Sequence, residues 1–221
     1  MNEKEVADEI TRPCNEWISE QHATEYLSRA NDIPHRKEGE SVLFDYIPLT
    51  AKRILDLGTG DGRLLRLLKM SRPEKIEVVA IDVSPTMIKS VKKNFADDKL
   101  VRIVEHDLQD PLPELGYFDA IISSFAIHHL THQRKYSLYT EVFFALRPEG
   151  IFCNLEHVAS PTKNLHQRFL FTVGKTIDTE DKSNKLLDMG VQLEWLRNIG
   201  FIDVDCYWKW LELALLIGFR P

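Results

Sequence analysis

"RILDLGTGDGRLLRLL" (residues 53–68) is the stretch on which the fold turns. A strand-like run leads into Gly58, Gly60 and Gly62, and an amphipathic, helix-like run follows them. A strand that ends in glycines and reopens as a helix is the layout of a nucleotide-type loop. The spacing here is GxGxG. A dinucleotide fingerprint needs GxGxxG, and Arg63 stands at its last position; a phosphate-binding P-loop needs GxxxxGK[ST], which is absent. Three glycines taken alone also fit a tight turn with no ligand.

Working outward, short apolar runs alternate with amphipathic ones. Strands are predicted over 53–57, 76–82, 101–107, 118–124 and 151–157. Their near-continuous apolar character predicts strands covered on both faces, as in a parallel sheet. Between them, "SPTMIKSVKKNF" opens with Ser84 as N-cap and Pro85 at the first helical position. The helix through "YSLYTEVFFALRPEG" is predicted to end at Arg147, Pro148 and Gly150. Strands with interposed helices make an open α/β sheet, whose ligands bind beyond the carboxyl ends of the strands. "FIDVDCYWKWLELALLIGF" leaves no room for a helix and reads as a terminal antiparallel hairpin. The expected division is a helical N-terminal cap over 1–50 and a main domain over 51–221, with a lid insertion at 158–190 that carries a short aromatic helix.

Composition narrows the function. The chain has 221 residues and a formal net charge of -6. No basic block offers a nucleic-acid footprint, so nucleic acid is not the expected partner. The charged start MNEKEVADEITRP lacks the apolar core of a secretory signal, and no apolar stretch is long enough to span a membrane. Cys14, Cys153 and Cys206 are scattered without CxxC spacing, so neither a zinc site nor a disulfide framework is indicated. The expectation is a cytoplasmic protein with no metal.

Two acidic residues sharpen the ligand. Asp82 ends the second strand, where a carboxylate accepts two ribose hydroxyls. Asp107 ends the third, within reach of an adenine amino group. No lysine or arginine lies inside the glycine loop to meet a phosphate. A nucleoside without phosphates fits best.

At these residues the sequence resembles the class I S-adenosylmethionine-dependent methyltransferases. The matching motifs are "LDLGTGDG" (55–62), "AIDVSPTMI" (80–88), "EHDLQDPLP" (105–113), "FDAIISSFAIHHL" (118–130) and "LRPEGIF" (146–152). The resemblance implies a Rossmann-like sheet of seven strands, mostly parallel with an antiparallel last strand, and helices on both faces. It implies that S-adenosylmethionine binds with Gly58, Thr59, Gly60 and Gly62 around its methionyl part and Asp56 organising the loop. Asp82 with Val83 would hold the ribose, and Asp107 with Leu108 would read the adenine. Met87 would pack near the base or serve as ordinary core, and Ser123 would stand at the fourth-strand end. Tyr26 or Arg36 would meet the methionyl carboxylate; the alternatives are helix packing for Tyr26 and a solvated charge for Arg36. His22 and His35 are expected at the surface. The chain looks close to the carboxy-S-adenosylmethionine synthase branch and to the type 11/12/25 methyltransferases.

A methyl acceptor must be aligned and, in some reactions, deprotonated. His128 and His129 after the fourth strand are candidate bases, because imidazole titrates near neutrality; a turn-capping structural role is the other reading. Glu156 and His157 after the fifth strand are expected to face the cleft and touch the acceptor, or else to form a hydrogen-bonded pair. Trp17, Phe169, Phe171, Trp208 and Trp210 are candidate lid aromatics for a small-molecule acceptor, or plain core. The competing functions are a tRNA-modification or modified-cofactor enzyme and a non-catalytic S-adenosylmethionine-binding protein. A homodimer contact at the terminal hairpin is a further expectation.

Overall fold

The computed structural model describes residues 15–30, 32–72 and 75–221. Cys14 lies outside them. The N-terminal helices α1 (Glu20–Arg29) and α2 (Arg36–Tyr46) precede the alternating part. There β1 (Arg53–Leu57), α3 (Arg63–Ser71), β2 (Glu77–Asp82), α4 (Pro85–Asn94), β3 (Val101–Glu105) and β4 (Phe118–Ser124) follow in turn. Next come α5 (His132–Ala145), β5 (Leu146–His157), α6 (Lys163–Thr172) and α7 (Met189–Ile199). The chain closes with β6 (Ile202–Trp210) and β7 (Leu213–Phe219).

The strands make one sheet in the order β3-β2-β1-β4-β5-β7-β6. Only β7 runs antiparallel to its two neighbours, as the terminal hairpin predicted. The apolar runs are explained by two cores, one on each face. Ile54, Val78, Ala80, Ile122 and Cys153 point to the face covered by Leu43 of α2, Leu65 and Leu68 of α3 and Val91 of α4. Leu55, Leu57, Val79, Ile121 and Phe152 point to the other, covered by Leu138 and Val142 of α5 and Leu196 of α7. Alternate side chains of a strand go to opposite faces, so a run buried on both must be apolar throughout.

Two local expectations change, and one packing detail is added. Ser84 stands at the start of α4 with Pro85 behind it, but its hydroxyl is buried and caps nothing. The helix before β5 stops at Ala145, and the strand begins at once at Leu146. Arg147 to Gly150 form an irregularity inside β5: Leu146 pairs with Phe118, and pairing resumes only at Ile151 with Ala120. Finally, α2 is part of the sheet's packing. Leu43 is fully buried, and a Cβ on Gly39 would lie 2.9 Å from both Leu155 and Trp208. α2 thus packs on the sheet while standing outside the strand-helix alternation.

Candidate functional site

The parallel register β2-β1-β4 aligns the carboxyl ends of these strands, and the connections leave to opposite faces between β1 and β4. A crevice forms at such a switch point. Here it is a cavity of about 890 Å³, bounded by the glycine loop, the ends of β2 and β4, residues 15–18, and parts of α1, α2 and the 182–185 segment.

The three glycines do different work. Gly58 has φ 70°, and a Cβ on it would lie 2.2 Å from the Cβ of Ala126, so the loop is pressed against the exit of β4. Gly60 (φ 58°) opens on the cavity, with nothing nearer than the Met87 sulfur at 4.0 Å. Gly62 is off the cavity wall; its missing side chain makes room for Phe95 and Val91, correcting the expectation that it meets a ligand.

Carboxylates hold this loop. Asp82 accepts the Gly60 N–H through Oδ2 and the Ser84 N–H through Oδ1, each at 2.8 Å. Each oxygen keeps a second lone pair. Asp56 accepts the Thr59 hydroxyl at 2.7 Å through Oδ2, while its Oδ1 is buried with no donor among the described residues. Burial, and then the neighbouring Asp82 charge, push the Asp56 carboxyl up to about 7 against the Thr59 bond. An orphaned carboxylate oxygen beside a cavity suits a cationic or N–H-bearing ligand group.

Val83, Met87, Asp107 and Leu108 also line the cavity. Asp107 accepts from the Asn15 amide at 3.0 Å and from the Gln109 N–H at 2.9 Å. Across from them, Arg36 is 5% exposed, which corrects the solvated-charge reading. Its Nε donates to Glu40 at 2.7 Å and its Nη1 to the Tyr26 hydroxyl at 3.1 Å. Glu40 also receives two bonds from Arg63, at 2.6 and 2.7 Å. The Arg36 guanidinium sits over the ring of Phe125, a residue held at φ 54° where β4 ends. That left-handed backbone is uncommon for a bulky residue and costs on the order of 1 kcal/mol; here it turns the chain into the cavity.

The candidate bases part company. His129 lines the cavity; His128, Glu156, His157 and Ser123 do not. His128 Nδ1 is 2.6 Å from Glu156 Oε1, and both are buried. Burial drives the His128 imidazole well below its ordinary range and the Glu156 carboxyl up to about 7. His157 turns to Glu212 at 2.8 Å. Glu156 and His157 are thus engaged by His128 and Glu212, on the part of β5 that pairs with β7, and neither borders the cavity. Ser123 is spent between strands, donating to the Leu57 carbonyl at 2.9 Å. Among the expected lid aromatics only Trp17 reaches the cavity. Phe169, Trp208 and Trp210 pack on the core, and Phe171 is 85% exposed. His22 is half-buried beside Asp181, and His35 stacks on Trp210.

Several residues escaped the sequence reading. Glu40 stands four residues from Arg36, a helical ion-pair spacing that the sequence does display. Ser183 meets His129 across 54 positions, and no sequence signal reports that contact.

Comparison with known proteins agrees with this architecture. Residues 54–150 match the family described as "Methyltransferase domain". The carboxy-S-adenosyl-L-methionine synthase of Nautilia profundicola is 23% identical over 208 residues, spanning 85% of this chain and 87% of that protein. The demethylmenaquinone methyltransferase of Thermus thermophilus is 33% identical over 137 residues, covering 61% of this chain and 59% of the relative. In fold, the chain is similar to an O-methyltransferase family protein from Burkholderia thailandensis, with a TM-score of 0.72 and 18% identity. That likeness covers 93% of this chain but 61% of the other, so the chain spans about three fifths of that structure. The matched region opens inside β1 and closes at Gly150, and across it the chain is similar to the class I S-adenosylmethionine-dependent methyltransferases, whose fold it shares.

Proposed function

We propose that this protein moves the methyl group of S-adenosylmethionine onto a small-molecule acceptor by in-line displacement, with His129 as the acceptor-side base. One observation carries this: a single cavity runs from the glycine loop, Asp82 and Asp107 to His129 and Trp17. Its volume of about 890 Å³ lies near the top of the range for small-molecule sites, which leaves room for two ligands.

Bound S-adenosylmethionine supplies a methyl group already activated by the sulfonium. The chain's part is to bind, orient and manage a proton. Asp82 offers the free lone pairs of both oxygens to the ribose, beside Val83. Asp107 and Leu108 meet the adenine, with Met87 packed near it. Gly58, Thr59 and Gly60 border the methionyl part, and the donorless oxygen of Asp56 suits its ammonium. Arg36 Nη2 has no protein partner among the described residues, and the Tyr26 hydroxyl accepts from Arg36 while keeping its own proton to donate; both suit the methionyl carboxylate. The segment from residue 15 into α2 acts as the cap and 158–190 as the lid. The His129 ring, kept neutral chiefly by burial, accepts the acceptor's proton.

Production of a modified cofactor is the second reading. It is favoured by the match to the Nautilia profundicola synthase, which runs along most of both chains. Mass analysis of products separates the two: a methylated acceptor for the first, an altered cofactor for the second.

The test is calorimetry with S-adenosylmethionine, S-adenosylhomocysteine and NAD, using Asp82→Ala as control. Binding of the first two, lost in the variant, supports the assignment. No binding, or preference for NAD, overturns it.

A further inference from the structure

His129 is held from one side by a segment far away in sequence. Its Nδ1 lies 2.8 Å from the Ser183 hydroxyl. That hydroxyl donates to Asp181 Oδ1 at 2.7 Å, and the Ser183 N–H donates to the same oxygen at 2.9 Å. An ionised carboxylate only accepts, so the single hydroxyl proton of Ser183 is committed to Asp181. The serine oxygen must then accept from the imidazole, and the proton on His129 sits on Nδ1. Nε2 is then left with its lone pair.

We propose that Asp181 and Ser183 are positioning residues that fix His129 as its Nδ1–H tautomer and so present Nε2 as the proton acceptor at the cavity. This rests on the proposed role of His129 as base. The serine matters as a spacer. A carboxylate bonded directly to imidazole favours the charged ring, whereas one set back behind a hydroxyl orients the ring and leaves it neutral.

The surroundings agree. Burial pushes the Asp181 carboxyl up, but the bonds from the Ser183 hydroxyl and N–H are the leading causes that bring it below its ordinary range, so it stays an acceptor. The His128 ring stacks at 3.9 Å from His129, and Trp17 meets it edge-on at 5.1 Å. His22 Nε2 is 3.6 Å from Asp181, and Glu16 brings a carboxylate oxygen within 4.8 Å of both. Lys185 donates to the His129 carbonyl at 3.0 Å, which ties the same segment to the backbone behind the ring.

The experiment is nitrogen NMR of histidine-labelled full-length protein with S-adenosylhomocysteine as probe, His129→Asn supplying the assignment. The expected result is a neutral His129 with Nδ1 protonated, a signal that divides between two tautomers in Ser183→Ala and Asp181→Asn and returns in Ser183→Thr. An Nε2–H tautomer in the wild type, or a signal indifferent to Ser183→Ala, overturns the proposal. If the tautomer behaves as expected but His129→Asn transfers methyl at the wild-type rate, the relay orients the ring as described and it is the base assignment that fails.

Discussion

The two ends of the cavity are assembled in different ways. At the glycine loop every holding group comes from the exits of neighbouring parallel strands. Asp56 and Asp82 end β1 and β2, whose register sets Asp56 beside Ala80 and Leu57 beside Ile81. The loop is then fixed by backbone donors, the N–H groups of Gly60 and Ser84 onto Asp82. At the His129 end the parts come from residues 15–22, 128–130 and 181–185, and side chains do the fixing. The first end is a consequence of sheet pairing. The second is a meeting of loops, and such regions vary without disturbing the scaffold beneath them.

If that contrast is right, the two ends fail independently. Replacing His129 by asparagine should lower kcat by about a hundredfold once an acceptor is in hand, with S-adenosylmethionine affinity unchanged. Calorimetry beside steady-state kinetics checks it, and an affinity loss as large as the rate loss would break the separation. Within the loop itself, Gly58→Ala should cost roughly 3 kcal/mol, read as a Tm fall of about 8 °C, because a methyl group at positive φ would overlap Ala126. Gly60→Ala, with open space in front of it, should cost about a third of that in stability and show its effect in ligand affinity instead. Thermal melts of the two variants decide; equal falls would mean the glycines are not distinct.

The smallest effect is a slope. The Asp56 carboxyl rises from 3.8 to about 7 on folding, so the native state holds its proton more tightly than the unfolded chain. The stability this contributes is full below the unfolded value and is lost as pH rises through about 7. Taken alone, this group makes the ligand-free protein melt a few degrees lower at about pH 8 than at about pH 5, and Asp56→Asn should remove that contribution. Glu156, also raised to about 7 by burial, adds a slope of the same sign that the variant keeps. His128 and His129, held well below their ordinary range by burial, act in the opposite sense as pH rises towards neutrality, so the readout is the difference between wild type and variant; an Asp56→Asn melting profile with the same pH slope as wild type would refute the assignment.

Legibility followed the same divide. Gly58, Gly60, Asp82 and Asp107 stand out by spacing and strand position, the family resemblance adds Asp56, Thr59, Val83, Met87 and Leu108, and all of them line the cavity. Strand exits sit where they do because parallel pairing advances residue by residue, so position in the motif becomes position in space. Ser123 was misplaced by one residue: Ser124 and Phe125 face the cavity, while Ser123 bonds across to β1. In a strand one residue is enough to change faces. Glu156 and His157 were misplaced for a different reason, since nothing in their own run reveals that His128 engages the one and Glu212 the other.

The sequence by itself determined the strands, their burial on both faces, the terminal hairpin and the carboxylates at the strand ends. Each of those follows from local periodicity and from backbone chemistry that acts within a few residues. Only the tertiary structure decided which glycines border the cavity, which of two adjacent histidines reaches it, that Arg36 is buried on Glu40, and that Ser183 meets His129. Those outcomes depend on which side chains meet across long stretches of chain, where packing and desolvation set the energy and no residue's neighbours in sequence record it.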